Sequence, residues 1–109
     1  MARLATGIWV AAYLARLRLS DIPAYVTAKG DPGSGAVVVK CALLNGQARA
    51  FQRSYDYASD RRIWVTLAEA AEPEVDAIIQ RARRFDPDLW VIELEDRAGR
   101  TLLDEDGLE

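Results

Sequence analysis

The sequence predicts an α+β domain: an antiparallel sheet of about four to five strands with two helices, in the order α-β-β-β-α-β. Three observations lead there. Alternating apolar runs follow one another through short connections, which favours antiparallel pairing with the helices on one face. Two stretches, Thr6 to Leu19 and Pro73 to Phe85, repeat apolar residues at helical spacing. Asn45-Gly46, the strongest short hairpin signal, joins two of the apolar runs.

Thr6 is a candidate cap for the first helix, whose apolar stripe reads Leu4, Ile8, Ala11 or Ala12, Ala15 and Leu19. A short strand over Ile8 to Val10 competes with its start, and Asp21 and Pro23 end it. Ala24 to Lys29 alternates modestly and reads as a strand. Residues 30–35 (Gly-Asp-Pro-Gly-Ser-Gly) form a loop by composition. Ala36 to Leu44 is apolar on both faces except at Lys40, the pattern of a central strand. Gln47 to Arg53 is its hairpin partner, and Ser54 to Asp60 a polar loop with tyrosines. Arg62 to Leu67 is another strand, with Ala68 to Ala71 as a connector.

Pro73 opens the second helix at its favoured position, and Val75, Ile78, Ile79, Ala82 and Phe85 make its stripe. Glu72, Glu74 and Asp76 at the start, with Arg81, Arg83 and Arg84 at the end, complement the helix dipole. Pro87 stops it. Leu89 to Asp96 is the last strong strand, with Trp90, Ile92 and Leu94 turned to the core and Glu93 and Glu95 on the solvent side. Ala98-Gly99 is a turn and Thr101 to Leu103 a candidate short strand. One domain is expected over residues 1–103, with residues 104–109 as an acidic tail that frays.

Composition removes several chemistries. The 109 residues carry a net charge of −3, one cysteine and no histidine. Without histidine there is no Ser-His-Asp or Cys-His nucleophile and no histidine-held zinc or iron. No cofactor and no bound metal are expected. The acidic balance argues against nucleic acid as a partner. No apolar run reaches the roughly 18 residues of a membrane span. Arg3 before the apolar Leu4 to Ala15 imitates a signal peptide, but Arg16 and Arg18 follow at once, without a small-residue cleavage site. Cys41, in an apolar run, reads as a buried thiol. The expected compartment is the cytoplasm.

The densest set of polar groups is the corner Arg83, Arg84, Asp86, Asp88 and Trp90, where the second helix turns into the last strand. It could hold a small anion or supply an acid and a base, although ion pairing at the corner is the simpler reading. Arg81, Arg83 and Arg84, with Arg61 and Arg62, could form an anion-binding patch with Trp64, Trp90, Tyr55 and Tyr57 as stacking surfaces; a solvated helix C-terminus with core tryptophans is the simpler reading. Lys40 on a sheet face could be a desolvated nucleophile or base; a rim position with the ammonium in water is the simpler reading. The 29–35 loop resembles a phosphate cradle only superficially. It lacks the Gly-Lys-Ser/Thr ending and leads into a strand.

Three segments resemble a family of small alphaproteobacterial proteins of unknown function. They are Gly7 to Arg16, Lys29-Gly30-Asp31 continuing through Ser34 to Lys40, and Arg83 to Asp96 with its Phe-Asp-Pro-Asp-Leu-Trp corner. The resemblance implies a bacterial cytoplasmic protein of about this length. It implies no activity, so no catalytic or binding residue carries over. The expected function is a non-enzymatic binding or regulatory module. Its partner would be another protein, or a second copy joined through a sheet edge or the tryptophan-rich side. The alternative is an enzyme or small-anion site at the corner, with Lys40.

Overall fold

In chain order the elements are α1 (Thr6–Leu19), β1 (Ala24–Ala28), β2 (Val37–Ala42), β3 (Gln47–Asp56), β4 (Arg61–Ala71), α2 (Glu72–Phe85) and β5 (Trp90–Glu95). They come from a computed structural model that describes residues 4–105, 107 and 108. Arg3, and Asp106 and Glu109 of the acidic tail, lie outside the described residues. The class is α+β as expected, with four strands between the helices, so the order is α-β-β-β-β-α-β.

The five strands form one sheet in the order β1-β5-β2-β3-β4. β5 lies between β1 and β2, antiparallel to the first and parallel to the second. The sheet is therefore mixed, not wholly antiparallel. The centre falls where the strands are most apolar, since all of β2 is buried and most of β5. Strands apolar on both faces need cover on both, and this overturns the expectation of helices on one side. α1 packs on the face of Val37, Val39, Cys41, Trp90, Ile92 and Leu94. α2 packs on the other, through Val75 and Ile79 against Val38, Ala48, Ala50 and Val91.

Local departures have local causes. α1 buries Trp9, Val10, Tyr13 and Leu17, not the predicted stripe. The helix is apolar all round, and the two large rings remove more surface from water than Leu or Ala. Trp9 and Tyr13 stack with ring centroids 4.9 Å apart. Thr6 is not the cap; Ala5 is, and the Thr6 hydroxyl donates to the Gly35 carbonyl at 2.8 Å. β4 runs on to Ala71, past a bulge where Ala50 faces Ala68 and Phe51 faces Thr66. The β2–β3 connection spans residues 43–46, with Leu44 and Gly46 at φ of 62° and 90°. Thr101 to Leu103 forms no strand. Leu108, in the tail expected to fray, is 2% exposed, and its carbonyl accepts from Arg53 Nη2 and Trp64 Nε1, each at 3.1 Å.

Candidate functional site

At the helix–strand corner the polar groups are largely spent on the backbone. The Arg83 guanidinium donates to the carbonyls of Lys29 (3.1 Å) and Pro87 (3.0 Å). Asp86 Oδ1 accepts the Asp88 amide at 3.1 Å, the usual use of an aspartate in a turn. Trp90 is buried, and its indole N–H donates to the Asp31 carbonyl at 2.7 Å. Arg84 and Asp88 remain on the surface.

The glycine loop closes over this corner. The Asp31 amide donates to the Asp88 carbonyl, and a Cβ on Gly30 or Gly35 would collide with that same oxygen. From its other side the loop accepts the Thr6 and Gly7 amides at Gly33 and Pro32. It thereby satisfies two amides that the start of α1 would leave unpaired. Its carbonyls point at a helix start, the reverse of a phosphate cradle. The three segments that carry the family resemblance thus meet in one knot.

Lys40 is elsewhere and in a different state from the one expected. It lies on the α2 face of the central strand with its side chain 5% exposed, not at a solvated rim. Its Nζ contacts Glu72 Oε2 at 2.7 Å, Asp76 Oδ1 at 2.6 Å and Glu93 Oε1 at 2.6 Å. Glu72 and Asp76 stand one turn apart at the start of α2, and Glu93 is the cross-strand neighbour on β5. Burial pulls the ammonium pKa down, but the hydrogen bonds to Asp76, Glu72 and Glu93 outweigh it and raise it above lysine's ordinary range. Such a lysine stays charged and is a poor nucleophile or base. Arg84 lies 12 residues beyond Glu72 on α2, about 18 Å along the helix. Lys40 and the corner therefore do not form one site.

One concavity was not anticipated as such. A groove of about 690 Å³ opens between the first half of β4 and the 98–104 segment. Phe51, Ile63, Trp64, Leu102 and Leu103 supply its apolar lining, and Arg61, Arg62 and Arg100 its positive charge, opposed by Asp104. Arg100 is held by Asp96, whose carboxylate accepts its guanidinium at 2.9 Å and its amide at 2.6 Å. That hydrogen bonding keeps Asp96 below the usual carboxylate range. Behind the groove, Trp9 and Trp64 pack with ring centroids 5.6 Å apart, and the Arg53 guanidinium lies over both, at 4.6 and 4.9 Å from their centroids. Of the patch expected from Arg81, Arg83, Arg84, Arg61 and Arg62 with its aromatic residues, Arg61, Arg62 and Trp64 line this groove and Arg81, Arg83, Arg84 and Trp90 do not. Arg100 and the 98–104 wall were missed, because a turn sequence carries no sign of which strand it folds against. Glu72 and Asp76 were legible only as helix-start acids. A lysine inside a central strand was the signal that carboxylates must cover it.

Among the described residues no helix is long and apolar enough to cross a membrane. No curated protein matches the chain. Solved structures do. A crystal structure of a DUF1491 family protein from Caulobacter crescentus is 43% identical over 94% of each chain, with a TM-score of 0.82. A solution structure from the same organism is 42% identical over 96% of each chain, also with a TM-score of 0.82. Protein Atu0922 from A. tumefaciens is 31% identical over 86% of each chain, with a TM-score of 0.73. The family profile described as "Protein of unknown function (DUF1491)" matches residues 4–104. On that match and these structures, the resemblance read from the three segments holds, and the chain belongs to the DUF1491 family, to which no function is assigned.

Proposed function

We propose that this chain is a non-enzymatic binding module of the bacterial cytoplasm, with its ligand surface in the groove between β4 and residues 98–104. The observation that carries the reading is the groove's make-up: an apolar and aromatic lining with three arginines and one aspartate. Its volume is within the usual range of ligand pockets, about 300–1,000 Å³. A carboxylate- or phosphate-bearing ligand with a flat or apolar body fits that chemistry, since arginine pairs with such anions through two parallel hydrogen bonds. A lone, buried, unpaired thiol at Cys41 accords with a reducing compartment.

The test is a thermal-shift screen against nucleotides, phosphorylated metabolites and carboxylates. A ligand at one hundred times its dissociation constant stabilises by about 2.7 kcal/mol, a rise in Tm of about 10–20 °C for a domain this small. Arg61→Glu is expected to abolish the shift, and Arg84→Ala to leave it intact. Loss of the shift in Arg84→Ala alone would move the site to the corner. A flat response across the panel would overturn the reading.

A further inference from the structure

α1 has two apolar faces and the core uses one. On the other, Ile8 and Leu19 are 59% and 86% exposed, Ala11, Ala12 and Ala15 between them are exposed as well, and Leu4, just before the Ala5 cap, is 61% exposed. A helix lying on a domain surface normally turns polar residues outward. Here Arg18 is the one charged side chain among the exposed residues of α1; Arg16 is half-buried and pairs with Glu105 at 3.3 Å. Within the helix the spacing 8, 11, 15 takes a step of three and then one of four, the seam of a helix that packs against another helix.

The stripe is also its own complement. Reversed about the point between Ala11 and Ala12, it sets Ile8 opposite Ala15 and Ala11 opposite Ala12, with Leu4 of the segment leading into the helix toward Leu19 at its far end. Large residues meet at the ends, and small ones at the middle let two backbones approach. Self-complementarity about a two-fold axis is what a symmetric dimer requires of its interface.

We propose that two copies of this chain associate through this face, with α1 antiparallel to α1 of the partner copy, about a two-fold axis between Ala11 and Ala12. The six exposed side chains amount to about 500 Å² per copy, so pairing buries about 1,000 Å², the lower limit for a specific interface. Area alone does not fix affinity; an interface at that limit is expected to be weak and reversible, and a dissociation constant on the order of 10 µM sets the range to test. An anionic membrane is the weaker occupant. Interfacial helices carry a strongly basic polar face, whereas the face of α1 opposite this stripe is buried in the core.

Sedimentation equilibrium of the full chain, over concentrations on both sides of about 10 µM, tests the proposal. The expected result is a monomer–dimer equilibrium that Ala12→Glu weakens at least tenfold with unchanged circular dichroism and Tm. Orientation is tested by cross-linking through engineered thiols, Cys41 being buried. A Leu4→Cys copy mixed with a Leu19→Cys copy is expected to cross-link in preference to either with itself. A chain that stays monomeric at about fifty times that concentration overturns the proposal. So does a dimer indifferent to Ala12→Glu, or Ile8-dependent binding to vesicles of anionic lipid without self-association.

Discussion

Replacing Lys40 with Met keeps the length of the stem and deletes the ammonium. The contacts at 2.7, 2.6 and 2.6 Å to Glu72, Asp76 and Glu93 then vanish, and three carboxylates face an apolar tip. In the Coulomb expression with an effective dielectric of about 20, each contact is worth about 6 kcal/mol gross. Most of that is cancelled. Burying the ammonium costs several kcal/mol, and the carboxylates repel one another. Glu72 and Asp76 are 38% and 45% exposed, so water screens those two pairs toward the small values of surface salt bridges. Glu93, at 29%, is the better sheltered partner.

The net cost of Lys40→Met is expected at about 3 kcal/mol, the lower end for breaking a buried pair. The matching fall in Tm is about 10–20 °C. Urea unfolding followed by tryptophan fluorescence measures it. Adding Glu93→Gln is expected to recover about half, because removing both ends of a buried pair is often close to neutral. A loss under about 1 kcal/mol, or a double variant no better than Lys40→Met alone, would refute the idea that this cluster pins α2 to the sheet.

The fold should also be sensitive to alkali. Burial, and secondarily the nearby Cys41, raises the Tyr13 pKa above its ordinary 10.0; burial, with Asp96 nearby, raises Cys41 above 9.0; Lys40 is held above 10.5. Each keeps its proton in the folded chain after the unfolded chain has lost it. Stability from these groups is therefore complete below about pH 9 and falls as pH rises, by about 1.4 kcal/mol per unit for each group in its window. Urea titrations from neutral pH into that range should show the fall, and Lys40→Met should flatten it above about pH 10.5; a level profile would contradict the sign. Gly30→Ala drives a methyl into the Asp88 carbonyl and should cost about 1–3 kcal/mol by calorimetry, whereas Gly33→Ala, with only the Asp31 carboxylate near at 3.4 Å, should be much milder. Leu108→Ala should cost about 2 kcal/mol, since the side chain is in the core; an unchanged Tm would mean that the tail is not docked in solution.

Local signals in the chain were strong and pairing signals weak. Although Phe85, read into its apolar stripe, is 85% exposed and the buried residues are Val75 and Ile79, the helix at Glu72–Phe85, with Pro73 at its start and arginines at its end, was legible. So were the buried strand around Lys40 and the facing of Trp90, Ile92 and Leu94. Strand order was not, because β2 and β5 are separated by 47 residues and periodicity says nothing about which distant strand pairs with which. The side used by α1 was hidden because the helix is apolar in every direction. The corner drew attention through its charges, yet what it does in the fold depends on a loop more than fifty residues earlier. The groove needs β4 and the 98–104 segment together, and neither half carries its signature alone.

The insertion of β5 between β1 and β2 sets the order in which the molecule can be assembled as it leaves the ribosome. β3 and β4 can zip locally, since only a short loop separates them. β1 has no strand beside it until β5 arrives, about 60 residues later, a wait of about 3–12 s at ordinary synthesis rates. During that interval Tyr25 and Val26 have no sheet to join, and the inner face of α1 lacks Trp90, Ile92 and Leu94. Closure of the sheet is thus deferred to the last strand: a chain cut short before Trp90 can pair β2, β3 and β4 and dock α2, but it cannot join β1 to them or complete the face under α1. Nascent copies held in that state are where holding chaperones would be needed most.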